Sequence, residues 1–192
     1  SIHHHSTTTN MSTNHDLFMN MMITTTSSNM NGSRDLSEVC YNDDFVQLGG
    51  DIDGEAAGDE SGFSVSLSDD GRTVAIGARY NDGNGSTSGH TRVYRVNDTL
   101  GSNGDWEQVG SDIDGEAAED YAGESVSLSG NGRTVAVGAT YNDGNGSLSG
   151  HTRVYHFNDT LGINGDWEQV GSDIDGEGAG DYSGFSVSLS DD

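Results

Sequence analysis

The chain copies itself. Gln47, Gln108 and Gln169 stand 61 residues apart, and residues 47–107 laid on 108–168 differ at only 14 positions. A third copy begins and runs to Asp192. Self-similarity at a fixed period of this length marks stacked units, each of which buries its apolar face only against a neighbour. That constraint rules out most single-core folds before any residue is considered.

Within one period the apolar pattern reads as four short strands. Ser64–Ser68 alternates, with Val65 and Leu67 on one face. Asp69–Gly71 makes a tight turn, replaced by Gly130–Gly132 in the next copy; Gly, Asn and Asp supply the positive φ such turns need. Thr73–Ala78 sets Val74, Ile76 and Ala78 on one side and only Ala75 and Gly77 on the other, a shape suited to close sheet-on-sheet stacking. His90–Val96 is a third strand, and Trp106–Ile113 reads as an unbroken fourth. No helical periodicity appears. The expected fold is all-β, with propeller-type blades of four antiparallel strands at 62–122 and 123–183 and partial units at 45–61 and 184–192. About two and a half blades make an incomplete ring, because propellers close with about 4–8. Closure therefore calls for further blades or chains. The repeat region spans 41–192.

Residues 1–40 are a Ser/Thr/Asn-rich tract without periodicity, expected to be a disordered tail. The His3–His5 triplet in it suits weak metal binding or no role at all. Cys40 is the only cysteine, so no internal disulfide framework exists. The chain opens on Ser1 and stops inside a repeat, which reads as a fragment of a longer sequence.

Charge narrows the partners. Thirty-two acidic residues face seven basic ones, all Arg, for a net charge of −25. That field repels nucleic acid and anionic lipid, both of which need Lys or Arg to neutralise phosphate. The run Leu17–Ile23 is too short to span a bilayer, so no membrane insertion is expected in this segment.

The repeated phrase is Gly-[Phe/Glu]-Ser-Val-Ser-Leu-Ser, then Gly-Arg-Thr-Val-Ala-[Ile/Val]-Gly-Ala, Ser-Gly-His-Thr-Arg-Val-Tyr and Trp-Glu-Gln-Val-Gly. It resembles the FG-GAP repeat, the blade unit of integrin-alpha-like β-propellers. Gly62-Phe63-Ser64 stands near that family's Phe-Gly signature and Gly77-Ala78 matches its Gly-Ala. The resemblance implies an extracellular or cell-surface binding and adhesion role with a protein or glycan ligand. It departs from the family where Pro after Gly-Ala is replaced by Arg79 and Thr140, and where Phe63 becomes Glu124. The calcium loop that many members carry between the first two strands is here only the short turn at Asp69–Gly71.

Acidic residues recur elsewhere. Asp51, Asp53, Glu55 and Asp59 return as Asp112, Asp114, Glu116 and Asp120; Asp82 and Asn84 return as Asp143 and Asn145. Oxygen ligands at alternate positions on a Gly-rich loop suit Ca²⁺, which takes 6–8 oxygens. The same residue types also build ordinary turns, and the sequence leaves both readings open. The bidentate Glu of an EF-hand is missing, since Gly62 and Val93 occupy the twelfth position. His90 and His151 fall at one repeat position, which favours a structural role over catalysis; no Ser-His-Asp set has supporting local context, so no enzyme is expected. Asn-x-Ser/Thr sequons at Asn10, Asn31, Asn84, Asn97, Asn145 and Asn158 agree with a secreted glycoprotein. The expected function is a non-enzymatic binding or adhesion module, calcium-supported. The alternatives are a structural segment without a specific ligand, or part of a propeller enzyme whose site lies in other blades.

Overall fold

The computed structural model describes residues 46–101 and 104–190; the tail expected at 1–40, with His3–His5 and Cys40, lies outside the described residues. Two antiparallel sheets follow one another along the chain. The first holds β1 (Ser64–Leu67), β2 (Thr73–Ala78), β3 (His90–Asn97), β4 (Asp105–Gln108) and β5 (Ile113–Asp114). The second repeats it as β6 (Ala122–Leu128), β7 (Thr134–Ala139), β8 (His151–Asn158), β9 (Asp166–Gln169) and β10 (Ile174–Asp175). Pairing runs β1-β2-β3-β4 with β5 also on β3, and the second sheet keeps the same order. The sheets are blade-like and do not close on themselves, as an all-β incomplete propeller requires. Among the described residues there is no helix, hence none long and apolar enough to cross a membrane.

The β1–β2 turn forms for a local reason. Asp70 Oδ1 accepts from Ser68 Oγ at 2.7 Å and from Arg72 N at 2.9 Å, which fixes the chain while Gly71 takes φ +67°. Asn131 makes the same two contacts in the second copy. A neutral amide serves as well as a carboxylate there, so this corner is turn chemistry.

The fourth strand departs from the sequence expectation. Gln108 pairs with Tyr94 and Ile113 with Thr91, so residues 109–112 face only Arg92 and Val93. The strand is broken by a wide irregular bulge with Gly110 at φ +75°. The cause lies in the next blade. Trp167 packs its ring against Gly110 and donates from Nε1 to Val109 O at 2.7 Å. Trp106 does the same against Gly49, donating to Leu48 O at 2.9 Å. The bulge is the socket for a tryptophan one period away.

Blades meet with a large face on a small one. A Cβ on Gly77 would overlap the Gly123 carbonyl, and Ser64 Oγ donates to that same oxygen at 2.7 Å. Gly89 bridges Ala122 in parallel, and Ser66 Oγ accepts from Leu128 N at 2.9 Å. The small-residue side expected for β2 is thus the side on which the second sheet sits. One apolar cluster crosses the seam, with Ala75, Val93 and Ile113 from the first sheet against Val126, Leu128, Val135 and Val137 from the second. The core lies between blades as much as within them, which is why one unit cannot stand alone.

Candidate functional site

Strand alternation places the β2–β3 loop (79–89) and the β5–β6 loop (115–121) at one end of the sheets, with the equivalent 140–150 and 176–182 segments beside them. Each loop is held by its own acidic residues. Asp59 Oδ2 accepts from Ala56 N at 3.2 Å and from the buried Asn81 amide at 2.9 Å; Asp120 and Asn142 repeat this. Asp82 Oδ1 accepts from Thr87 N, and Asp143 Oδ1 from Leu148 N, each at 2.7 Å. Asn84 donates to Gly115 O and Glu116 O across the seam, as Asn145 does to Gly176 O and Glu177 O. Asp51 and Asp112 accept from Gln47 and Gln108. Asp53 and Asp114 offer backbone carbonyls to Arg92 and Arg153.

Many of these side chains are thus engaged within their own loops or across the seam. Among the described residues, two groups of at least three His or carboxylate side chains do converge, Glu55–His90–Asp112 and Glu116–His151–Asp173. Each joins a glutamate from the loop before a sheet to the histidine that opens that sheet's third strand and the aspartate beside its last strand. His90 Nδ1 lies 3.8 Å from Glu55 Oε2 and 3.7 Å from Asp112 Oδ2, and His151 has the same distances to Glu116 and Asp173. Sequence reasoning passed over both histidines because they are copied, and the spacing of Glu55 to Asp112 has no meaning until the seam is seen. Burial holds both imidazoles below their ordinary pKa, against the pull of the neighbouring carboxylates. Burial, then the nearby Asp112 charge, raises the Asp114 carboxyl.

Four tyrosines stack across the loop end. Tyr80 meets Tyr121 edge-on at 5.3 Å, Tyr121 meets Tyr141 at 4.5 Å, and Tyr141 meets Tyr182 at 5.7 Å. A cleft of about 570 Å³ opens beside Tyr121 and Tyr141, rimmed by Glu116, Glu119, Asp120 and Asp143. A smaller one of about 320 Å³ lies beside Tyr80, Asp59 and Asp82. Tyr121 and Tyr182 are held at φ +58° and +52°, a region a bulky side chain seldom occupies. No feature of the sequence marked them, because Tyr121 and Tyr182 take the place of Glu60 in the first copy.

Tandem four-stranded antiparallel sheets, stacked face to face with their connecting loops gathered at one end, define a β-propeller repeat module. Residues 52–94 and 112–155 match the FG-GAP repeat family, so the chain carries FG-GAP repeats. Each match runs from the acidic loop to the third strand, so it contains the glutamate and the histidine of the clusters described above. No curated protein matches the chain.

Proposed function

We propose that the chain is a non-enzymatic docking module, outside the cell or on its surface, whose loop end receives a basic segment of a partner protein. The carrying observation is the tyrosine stack with its acidic rim. Tyrosine offers a large, stiff, amphipathic contact and an electron-rich face for Lys or Arg. A net charge of −25 steers a cationic partner toward it. Backbone strain retained at Tyr121 and Tyr182 agrees with a role beyond packing. Copying speaks against a reaction: Asp59 and Asn81 recur as Asp120 and Asn142 in the same hydrogen bonds, and His90 recurs as His151 in the same setting.

Titration with an Arg/Lys-rich peptide tests this. Affinity is expected to fall with salt, and Tyr121→Ala or Tyr141→Ala to weaken it about 10-fold or more, as loss of an aromatic anchor does. Salt-independent binding unaffected by either substitution overturns the reading. Tyrosine-dependent binding of a neutral glycan instead would move the partner class to carbohydrate.

Calcium is part of the same proposal, as a support for the oxygen-only loop segments. Asp82, Asn84, Asp143 and Asn145 are solvent-exposed, which suits the weak, 10⁻⁴–10⁻³ M affinities (order of magnitude) of extracellular modules. Millimolar Ca²⁺ is expected to raise the melting midpoint; an unchanged melt with and without chelator removes calcium and leaves the docking proposal standing.

A further inference from the structure

We infer that each seam between repeats is a binding site for a divalent transition-metal ion of the Zn²⁺ class, held by Glu55, His90 and Asp112 in one copy and by Glu116, His151 and Asp173 in the other. The site does not depend on the docking reading, although Glu116 also borders that cleft. It starts from a polar atom with nothing to bond. The His90 and His151 side chains are only 2% and 1% exposed, and among the described residues neither Nδ1 has a hydrogen-bond partner. Buried polar atoms are almost always paired, so an orphan calls for an explanation.

Each Nδ1 points between two carboxylate oxygens at 3.7 and 3.8 Å. Those separations are too long for a hydrogen bond. If Nδ1 carries a lone pair, it faces two negative charges, and only a cation between them makes the arrangement favourable. An ion about 2.0–2.2 Å from each ligand atom, the usual Zn–N and Zn–O range, needs each histidine–carboxylate separation to shorten by only a few tenths of an ångström, within a cluster whose ligand atoms already lie within 4.8 Å of one another.

The carboxylates are already aimed. Gln108 donates to Asp112 Oδ1 at 2.6 Å, which leaves Oδ2 toward the histidine; Gln169 and Asp173 repeat this at 2.7 Å. Asn81 and Asn142 donate to the Oε2 atoms of Glu55 and Glu116 at 3.2 and 3.4 Å, which holds those oxygens in place and leaves a lone pair free. Such outer partners orient ligands in metal sites generally. Arg92 NH1 and Arg153 NH1 stand 3.6 and 3.7 Å from the opposite glutamate oxygen, Oε1, so Oε2 is the oxygen that faces the histidine. Imidazole nitrogen beside two carboxylates suits Zn²⁺ and its first-row neighbours, whereas Ca²⁺ seeks oxygen alone. A metal here would bolt each repeat to the next, since its ligands come from both.

Metal content after equilibration of the full chain with micromolar Zn²⁺, in the presence of millimolar Ca²⁺, tests the inference. The unchanged chain is expected to hold two more ions than the H90Q/H151Q double variant, so histidines in the tail cancel from the difference. Glu55→Gln and Glu116→Gln, at half-exposed positions that leave the fold intact, should each remove one ion. With Co²⁺ as the probe, visible absorption of a nitrogen/oxygen site should appear in the parent and fade in the variants. Equal metal content in parent and double variant, or displacement of Zn²⁺ by Ca²⁺, overturns the inference. Zn²⁺ binding with no calcium effect on the melt would separate this site from the proposed calcium loops.

Discussion

Residues of the same type meet different surroundings in this molecule. Ile113 sits in the seam between the two sheets and is 4% exposed, while Ile174, its copy, lies on the outer face of the second sheet and is 59% exposed. Leu67 and Leu128 show the converse at the other end, at 39% and 6%. The sequence around each pair is nearly unchanged, so the neighbour alone makes the difference. The outer face is not bare: Ser125 Oγ donates to Gly184 O and Ser127 Oγ accepts from Leu189 N. Among the described residues the segment after Asp175 contributes no further strand to it.

The seam should break far more readily than the outer face. Gly77→Val drives a branched side chain into the Gly123 carbonyl, and is expected to cost about 3 kcal/mol or more, at the upper end for overpacking. Gly138→Val meets Gly184 of the partial unit, which can yield, and should cost clearly less; equal losses by urea denaturation would contradict the comparison. Next, Ile113→Ala should cost about 2–5 kcal/mol and Ile174→Ala within about 0.5 kcal/mol of nothing, as surface changes do.

Acid offers a subtler probe. Asp166 accepts from Ser111 N at 2.8 Å and Ser111 Oγ at 2.9 Å across the seam. Burial alone would raise its carboxyl, but the donors at Ser111 and Trp167 leave it below the ordinary 3.8. A lowered folded pKa means that this support is complete above the unfolded value and is lost as pH falls through the folded one. Asp166→Asn should therefore lower stability at neutral pH and flatten its decline below about pH 4, read from denaturation midpoints against pH. The smallest effect is a gain. Gly50 donates only its backbone N–H to Asp105, at 2.9 Å, where Ser111 adds a hydroxyl. Gly50→Ser should raise the urea midpoint slightly by supplying that second bond; no change would mean that the first seam lacks the geometry of the second.

What the sequence showed, and what it hid, follows from this division. The strands Thr73–Ala78 and Ser64–Leu67 were legible because alternation and Asp-Gly turns are local signals. The small side of β2 at Ala75 and Gly77 even foretold which side would take a neighbour. The break after Gln108 was not legible, since its cause is Trp167, one period on. The acidic loops were visible as composition, yet composition could not tell which carboxylates close their own loop and which reach across. His90 was visible too, and only the seam gives it two acidic neighbours.

The tryptophan socket carries a further consequence. Trp106 bonds to Leu48 and Trp167 to Val109, 58 positions apart in each case, and Ser64 bonds to Gly123 at a separation of 59. Within a sheet the contacts are short loops; these seam contacts wait for about one whole period to be brought back, while Asn84–Gly115 and Gly89–Ala122 close after about half of one. Closing such a loop costs entropy before any contact rewards it. Folding should thus be nucleated by one completed pair and then templated outward, each finished unit presenting a ready surface to the next. The rate-determining event is the first closure, and every later repeat should join faster than the first pair formed.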